Sequence, residues 1–597
     1  MPSNKRSSMI HARLNSLLPL ALCCSASALQ VDALQNAAVA ARAQKADVAF
    51  RAGYAAVSNG NLQEALHQFQ TVVQLEPQIE EGHSALGAVF HQLGQDTQAI
   101  PELNKALRLK PEDRSAQENL ALAYEKTGEY QKSLPLFEKL TSAGSEPVSA
   151  DVFMSYARAL DATKQTQTAI EVMQRAMTAF PQRADLYDTL GSLYGQMQDW
   201  TQAQKSFEQA LQLDPNLALA HFHLGVVLAN RQQATSAVDE LTKAVQLDPR
   251  NGSAQLELGK ALASANQDKE AISHFQQVLA LDASLIEAQN QLAMALQREG
   301  QEQESIPLFE KVVAAQPANS GALSNLGLAL VQIGKVKEAI PLYQRALAIA
   351  PNDVTVHQNL GVAYLQQSDL DDAIREFQTG LKFSPENPYL HYNLGLAYKL
   401  KDNLPVAIKE LETAMKLDPA SPDAPYTLGI LYMQDGHFDD AVQHLHAALE
   451  LRPENGDAWA ILGSVYKQQG KYDYAAAALK KAIDLLPNQP GPHITLASVL
   501  QEQGKKDEAT AERKKAADLT RVAVNHQRAT FATNAGNLLL QKGEIADAVA
   551  RYQEALASDP SYAEAHRQLA IAFARQGRTA EAATEREKAI TLGRATP

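Results

Sequence analysis

Cysteine is almost absent from this chain of 597 residues, and aromatic residues make up only 6% of it. The two cysteines, Cys23 and Cys24, both lie near the N-terminus, so the body of the chain holds neither a disulfide framework nor a cysteine-based zinc site. Val/Ile/Thr runs and Asn-Gly hairpin turns are scarce, whereas Ala, Leu and Gln are abundant. This composition predicts an all-α protein.

Motifs of catalysis are also missing from the chain. It contains no glycine-rich phosphate loop, no HExxH or GxSxG motif and no kinase signature set. Two histidine pairs, His221/His223 and His444/His446, are spaced by two residues, which places their side chains on different sides of a helix. The sequence therefore predicts no metal site, no catalytic residue and no cofactor.

The charge balance is acidic, with a formal net charge of -14. An acidic surface repels phosphate backbones, so we expect no binding to nucleic acid.

The N-terminus has the pattern of a secretory signal peptide over residues 1–28. A basic segment precedes a short apolar one, and a small-x-small motif predicts cleavage after Ala28. These features are carried by Lys5, Arg6, His11 and Arg13, then by Leu14 to Leu22, then by Ala26, Ser27 and Ala28. We expect an exported protein, periplasmic or secreted, whose mature chain is not inserted into a membrane and begins with a helical lead-in over residues 29–45.

A Leu-Gly pair recurs at steps of 34 residues or multiples of 34, except that the step from Gly87 to Gly191 is longer by two because residues 142–147 extend one turn. It occurs at Leu86-Gly87, Leu190-Gly191, Leu224-Gly225, Leu258-Gly259, Leu326-Gly327, Leu360-Gly361, Leu394-Gly395, Leu428-Gly429 and Leu462-Gly463. With variants in which Ala or another residue replaces one member of the pair, the count is 16 units. An Ala follows the Gly after twelve residues in most units and a large apolar residue follows after sixteen, as in Ala373 and Phe377. This spacing predicts two amphipathic helices per unit, with small residues at their contact.

A helical hairpin of 34 residues with this pattern resembles the tetratricopeptide repeat, over roughly residues 46 to 595. The resemblance implies a right-handed superhelical α-solenoid in which the first helix of each unit lines a concave face. Each unit is stabilised mainly by its neighbours. The repeats leave no stretch of 100 residues for a catalytic domain, so the protein is not expected to be an enzyme.

The array departs from its register near the C-terminus, where the step from Ala497 to the next small residue is 39 and no proline ends the second helix. That helix carries Arg513 at the position of the large apolar residue, as the last unit carries Arg586, and charged helices are typical of array ends. We therefore predict a solenoid of about 14 repeats over 46–519, a connecting segment over 520–528, and a C-terminal pair of repeats with a polar cap over 529–597. The connecting segment is either a continuous helix or a hinge, and one unbroken solenoid with a local kink is the alternative.

The predicted binding site lies in the middle repeats, where Asn occupies the position two before the Gly in three consecutive units. This resembles the asparagine ladder in the tetratricopeptide domain of O-linked N-acetylglucosamine transferases, which grips extended peptides; their catalytic domain is absent here. The alternative is that these Asn residues brace neighbouring helices while Tyr residues pack between units. The candidate residues are Asn325, Asn359, Asn393, Tyr389, Tyr392, Leu396, Lys399, Tyr426, Ile430 and Met433.

The sequence thus predicts a non-catalytic scaffold that binds other proteins or peptides as extended segments in its groove. The alternative is a structural component of an envelope export or assembly apparatus, which would dock through its outer face and its ends. The oligomeric state is not predicted.

Overall fold

A computed structural model describes residues 18–142 and 147–593, and these residues form 31 helices and no β-strand. The predicted fold class, an all-α solenoid of helical hairpins, is confirmed. Residues 1–17 of the predicted signal peptide lie outside the described residues. Its remaining residues, 18–28, form the beginning of a helix that continues to Ser58.

The chain divides into two compact units, Met1–Leu308 and Phe309–Pro597. The helices of the first unit are α1 Leu18–Ser58, α2 Leu62–Leu75, α3 Glu80–Gln92, α4 Asp96–Leu109, α5 Arg114–Lys126, α6 Tyr130–Thr141, α7 Ala150–Ala162, α8 Thr166–Ala179, α9 Ala184–Gln196, α10 Trp200–Leu213, α11 Ala218–Asn230, α12 Ala234–Leu247, α13 Gly252–Ser264, α14 Asp268–Leu281 and α15 Ile286–Arg298. The division falls within α16, Glu302–Ala315.

The helices of the second unit are α17 Ser320–Gln332, α18 Val336–Ile349, α19 Val354–Gln366, α20 Leu370–Phe383, α21 Pro388–Leu400, α22 Leu404–Leu417, α23 Asp423–Gln434, α24 Phe438–Leu451, α25 Gly456–Gln468, α26 Tyr472–Leu485, α27 Pro490–Glu502, α28 Lys506–Gln541, α29 Ile545–Ser558, α30 Ala563–Arg575 and α31 Thr579–Gly593.

Each repeat turns from its first to its second helix through one residue with positive φ. Ten glycines and six other residues have this conformation among the described residues, one for each of 16 repeats. The glycines adopt it without strain, whereas a side chain makes it costly. The six other residues are Lys164, Gln198, Gln232, Asn266, Ser368 and Asp402.

The two helices of a repeat approach closely at the small residue that recurs in the pattern. A Cβ atom at Gly327 would lie 2.8 Å from the ring of Tyr343 on the following helix. Tyr343 and its equivalent Phe377 are fully buried, as is Ala373. In the first unit Phe137, Phe207 and Phe275 fill the same place (at most 1% exposed). The core therefore runs between the paired helices, repeat by repeat, as the spacing predicts.

The register change after Ala497 has a structural counterpart in α28. This helix has 36 residues, whereas the second helices before it have 12 to 14 residues, as in α26 with 14. It contains both the second helix of the fourteenth repeat and the first helix of the fifteenth. Residues 520–528 lie in its middle and are helical throughout. The turn that is longer by two residues, over residues 142–147, includes residues 143–146, which lie outside the described residues.

Candidate functional site

The ten predicted residues lie on the first helices of four successive repeats in the second unit. Asn325 is on α17 and Asn359 on α19, five residues are on α21 and three on α23. All of them are half-buried except Tyr389, whose side chain is 63% exposed. The α21 residues are Tyr389, Tyr392, Asn393, Leu396 and Lys399, and the α23 residues are Tyr426, Ile430 and Met433.

Capping side chains fix where the central helices of this set begin. The Asp353 carboxylate accepts a hydrogen bond from the backbone N–H of Thr355 at 3.0 Å. Asn387 accepts one from the N–H of Tyr389, also at 3.0 Å, and Pro388 follows it in the first turn. Such caps satisfy backbone donors that the helix itself leaves unpaired. They set α19 and α21 in the same register.

The three asparagine amides differ in their surroundings. The side chains of Asn359 and Asn393 are half-buried and make no hydrogen bond to any residue within 18–142 or 147–593. Asn325, by contrast, is engaged in an interaction of its own. A side-chain amide carries two donors and one acceptor with two lone pairs. Asn359 and Asn393 therefore offer unused donors and acceptors on adjacent first helices.

Two of the tyrosines, Tyr392 and Tyr426, pack against the cores of successive repeats. The ring of Tyr392 packs against the core formed by α22 and α23, and its Oη lies 3.5 Å from Oγ1 of Thr427. Burial raises the pKa of Tyr426, and the charge of Asp457 and the nearby Tyr392 raise it further. The phenol of Tyr426 is therefore a neutral hydrogen-bonding group at neutral pH.

One further residue on α21 belongs to the same face and was not predicted from the sequence. Leu400 is 61% exposed and lies seven residues after Asn393 and eleven after Tyr389, which puts all three on one side of the helix. Leu396 lies between them on that side. The sequence feature that could have identified Leu400 is its helical spacing from Tyr389 and Asn393, since its residue type does not distinguish it from core leucines.

The histidine pairs point apart, as expected from their spacing. Nδ1 of His221 contacts Glu240 at 2.6 Å, whereas Nδ1 of His223 contacts Asp188 at 2.9 Å. Among the residues that the structure describes, no group of three or more His, Cys, Asp or Glu is placed to hold a metal ion. No described helix combines the length and apolar character needed to cross a membrane.

Sequence profiles of helical-repeat families match most of the chain. The Psidin N-terminal TPR repeats region matches residues 49–180, and the C-terminal domain of cilia and flagella-associated protein 70 matches residues 309–533. Tetratricopeptide-repeat profiles match residues 189–251, 231–285, 286–319 and 536–577. No protein with a curated description matches the chain significantly.

Solved structures give partial superpositions. YrrB, described as a TPR protein with an unusual peptide-binding site, is 25% identical, and its match covers 32% of this chain and 97% of YrrB, with a TM-score of 0.30. Yeast Tom70 is 17% identical over 72% of this chain and 97% of its own, with a TM-score of 0.34. The APC/C hetero-tetramer Cut9-Hcn1 is 16% identical over 88% and 96%, with a TM-score of 0.31.

The repeat profiles and the helical hairpins lead to one assignment. The hairpins have a 34-residue step and a close contact between their two helices, and four of the matching profiles are named for this repeat. The chain is a protein of tetratricopeptide repeats.

Proposed function

We propose that this protein is a scaffold that holds extended polypeptide segments along the first helices α17, α19, α21 and α23. The tetratricopeptide repeats support a role in protein interaction. The observation that carries the finer proposal is the pair of amides of Asn359 and Asn393 on adjacent first helices, neither of which is hydrogen-bonded to another described residue. Such groups bind a peptide backbone regardless of its sequence, because every residue of an extended segment presents a carbonyl and almost every one an N–H.

The spacing of the repeats suits an extended ligand. Packed helices lie about 8–10 Å apart, and an extended chain advances about 3.3 Å per residue. Amides at equal positions of adjacent first helices therefore meet every third residue of a bound segment. The side chains between those contacts meet the apolar face that includes Tyr389, Leu396 and Leu400, two of which are exposed, and Ile430 and Met433 on α23.

The proposed face provides affinity in two ways. The amides supply hydrogen bonds to the backbone, and the half-buried aromatic and aliphatic side chains supply apolar contact with some preference among ligand side chains. Lys399, at the edge of this face, adds a positive charge on α21. No chemical step is part of the proposal, and it needs neither metal nor cofactor.

Peptide selection followed by calorimetry tests the proposal. Twelve-residue peptides are selected from a random displayed library against the full chain, and one selected peptide is titrated into wild type and into the double variant Asn359→Ala/Asn393→Ala. We expect binding to weaken roughly 5- to 150-fold, because each lost hydrogen bond contributes about 0.5–1.5 kcal/mol.

Asn119→Ala is the matched control. Asn119 occupies the same repeat position in the first unit, and its side chain already donates to the carbonyl of Ser115 at 2.8 Å. The control should leave peptide affinity unchanged. Equal affinities of wild type and the double variant would show that the amides do not bind the ligand.

We further propose that the chain is exported through the predicted signal peptide and acts in the periplasm or outside the cell. The basic residues from Lys5 to Arg13 and the motif ending at Ala28 support this proposal. N-terminal sequencing of the protein from the native envelope fraction tests it. A mature chain that begins at Leu29 is expected, and an uncleaved chain in the cytosolic fraction would contradict it.

A further inference from the structure

Two apolar side chains on the second half of α28 are exposed at repeat positions that are buried elsewhere in the second unit. Phe531 and Leu538 are 67% and 57% exposed. Their equivalents in the repeat of α21, Leu390 and Ala397, are fully buried. Equivalent residues in the other repeats of this unit are also buried: Ala322 and Ala329, Val356 and Ala363, Ala424 and Leu431, Ala458 and Val465, Pro492 and Val499, Ala565 and Ala572.

The continuity of α28 explains this exposure. In other repeats these positions pack against the preceding repeat. Leu390 is an example, because its Cδ1 lies 2.9 Å from the position that a Cβ atom on Gly380 of the preceding helix would take. Before Phe531 the chain does not fold back, because the preceding second helix runs straight on into the first helix of the next repeat. The surface of α28 that in other repeats packs against the preceding hairpin is therefore not covered by any helix of residues 18–142 or 147–593.

The exposed residues continue into a longer apolar stripe. Ala517, Val524, Phe531 and Leu538 follow one another at intervals of seven residues, which keeps them on one side of an α-helix. Val524 is 40% exposed, and Ala517 is exposed as well. The stripe spans 22 residues, from Ala517 to Leu538, or about 30 Å at 1.5 Å per residue. A seam of this period and length fits another helix rather than an extended strand.

Arginines accompany the stripe at its N-terminal end. A cavity of about 830 Å³ lies between α27 and α28, and no carboxylate is among the residues that line it. Ile494, 56% exposed, forms part of its apolar wall. Arg513, Arg521 and Arg528 line it together with Ala517 and Val524 of the stripe.

The three arginines are only partly neutralised. Arg513 donates to the amide oxygen of Gln501 at 3.3 Å, and Arg521 pairs with Asp518 at 3.0 Å. Arg528 has no ion-pair partner within the described residues. In a chain with a net charge of -14, this face of α28 is a local site of positive charge.

We propose that this face of α28, from Arg513 to Leu538, docks an acidic amphipathic helix of a partner protein. The partner's apolar side chains would cover Val524, Phe531 and Leu538, and its carboxylates would pair with the arginines. A second copy of this chain is a poorer occupant, because antiparallel pairing of two stripes would bring the two Arg528 side chains together near the twofold axis. This site is separate from the asparagine face and does not depend on it.

Fluorescence anisotropy with two designed helices tests the proposal on the full chain. Both are labelled 21-residue peptides with Leu at every seventh position and Ala elsewhere on that face; one carries Glu along its flanks and the other carries Lys. We expect the Glu peptide to bind wild type at least about tenfold more tightly than the Lys peptide, because opposite charges across an interface select the partner. Arg521→Glu/Arg528→Glu should reverse this preference, and Phe531→Ser/Leu538→Ser should weaken binding of the Glu peptide at least about tenfold.

Three controls keep these results interpretable. Arg551→Glu, an exposed substitution on α29, and Asn359→Ala/Asn393→Ala should both leave the Glu peptide's affinity unchanged. Arg521→Lys/Arg528→Lys, which keeps the charge, reports a folding defect if it also loses binding, and circular dichroism melts check each variant.

Two results would overturn the proposal. One is equal binding, or no binding, of the two peptides to wild type. The other is a wild-type dimer in sedimentation that Phe531→Ser/Leu538→Ser dissociates, which would assign the face to a second copy.

Discussion

Nδ1 of His221 lies 2.6 Å from Oε2 of Glu240, and Nε2 of the same ring lies 3.0 Å from the carbonyl oxygen of Pro215. The ring thus joins the second helix of its own repeat to the turn that precedes the repeat. The same pair of contacts, 19 residues forward and six residues back, recurs at His83, His357, His391 and His566.

Other residue types at this position retain the backward contact. Gln117 donates to the carbonyl of Pro111 at 2.6 Å, and Trp459 donates to that of Pro453 at 2.9 Å. In these repeats a side-chain donor at this position reaches the preceding turn, whereas Leu323 and Pro425 hold the same position without such a donor. The histidines also contact a glutamate, because their ring has a second nitrogen.

Two substitutions of His221 should distinguish the contributions of these two contacts to stability. His221→Leu removes the partner of the Pro215 carbonyl and of Oε2 of Glu240, whose Oε1 still accepts from Lys243. We expect a loss of roughly 1–3 kcal/mol of local stability. His221→Gln preserves the donor to Pro215 and should lose less than half of that. Hydrogen exchange of the α11 and α12 amides measures both variants, and equal exchange in the two would contradict the importance of the backward contact.

Acid should weaken three histidine–glutamate contacts of this kind, those of His221 with Glu240, His493 with Glu512 and His566 with Glu585. Burial acts to raise the pKa of Glu240, but hydrogen bonds from Lys243 and His221 outweigh it, so the pKa lies below the ordinary value of 4.5. The same balance holds for Glu512 and Glu585. A carboxyl group whose pKa is lowered by folding stabilises the fold above its unfolded pKa, and this contribution is lost as the pH falls through its folded pKa.

The contribution of these three carboxylates to the free energy of unfolding should therefore be constant from pH 7 to pH 5 and should decline below about pH 4.5. Urea unfolding at a series of pH values measures the decline. The variant Glu240→Gln/Glu512→Gln/Glu585→Gln should be less stable at pH 7 and should show a shallower decline. If the decline is unchanged, other carboxylates cause it.

Replacement of Tyr343 by phenylalanine should stabilise the protein. Its side chain is fully buried, and its Oη has no hydrogen-bond partner among the described residues; burial accordingly raises its pKa far above the ordinary value. A buried hydroxyl without a partner costs roughly 1–3 kcal/mol. We expect Tyr343→Phe to raise the unfolding midpoint, whereas Tyr552→Phe should not, since that hydroxyl donates to Asn537 at 2.8 Å.

Proline at position 523 should test the continuity of α28. Ala523 is exposed in the middle of this helix, where proline removes a backbone hydrogen bond and costs about 3 kcal/mol or more. Ala523→Pro should raise hydrogen exchange over residues 519–527 and leave the hairpins on either side folded. Ala523→Ser, at the same exposed position, serves as the control. Unaltered exchange in the proline variant would mean that the helix is already open there in solution.

The repeat pattern was sufficient to predict the hairpins, because each spacing corresponds to one contact. Gly327 meets the ring of Tyr343 sixteen residues later, and the predicted count of 16 agrees with the 16 positive-φ turns. The course of residues 520–528 was left open, since extra residues without a proline suit a hinge and a helix equally well. The state of each asparagine amide also lay beyond the sequence, because Asn325 and Asn359 hold the same repeat position and differ only in their neighbours.

The hairpins of the first unit should differ in how readily they open, because some of their positive-φ turns use glycine and others do not. Lys164, Gln198, Gln232 and Asn266 serve four consecutive repeats, and each such conformation costs a non-glycine residue roughly 1–2 kcal/mol. The repeats before them turn at Gly60, Gly94 and Gly128 without that cost. Because stability in such arrays is nearly a sum of local terms, warming or pulling should separate the hairpins of this four-repeat stretch first. A protease that cuts transiently opened chain should then cleave between residues 164 and 266 before it cuts the glycine-turned repeats.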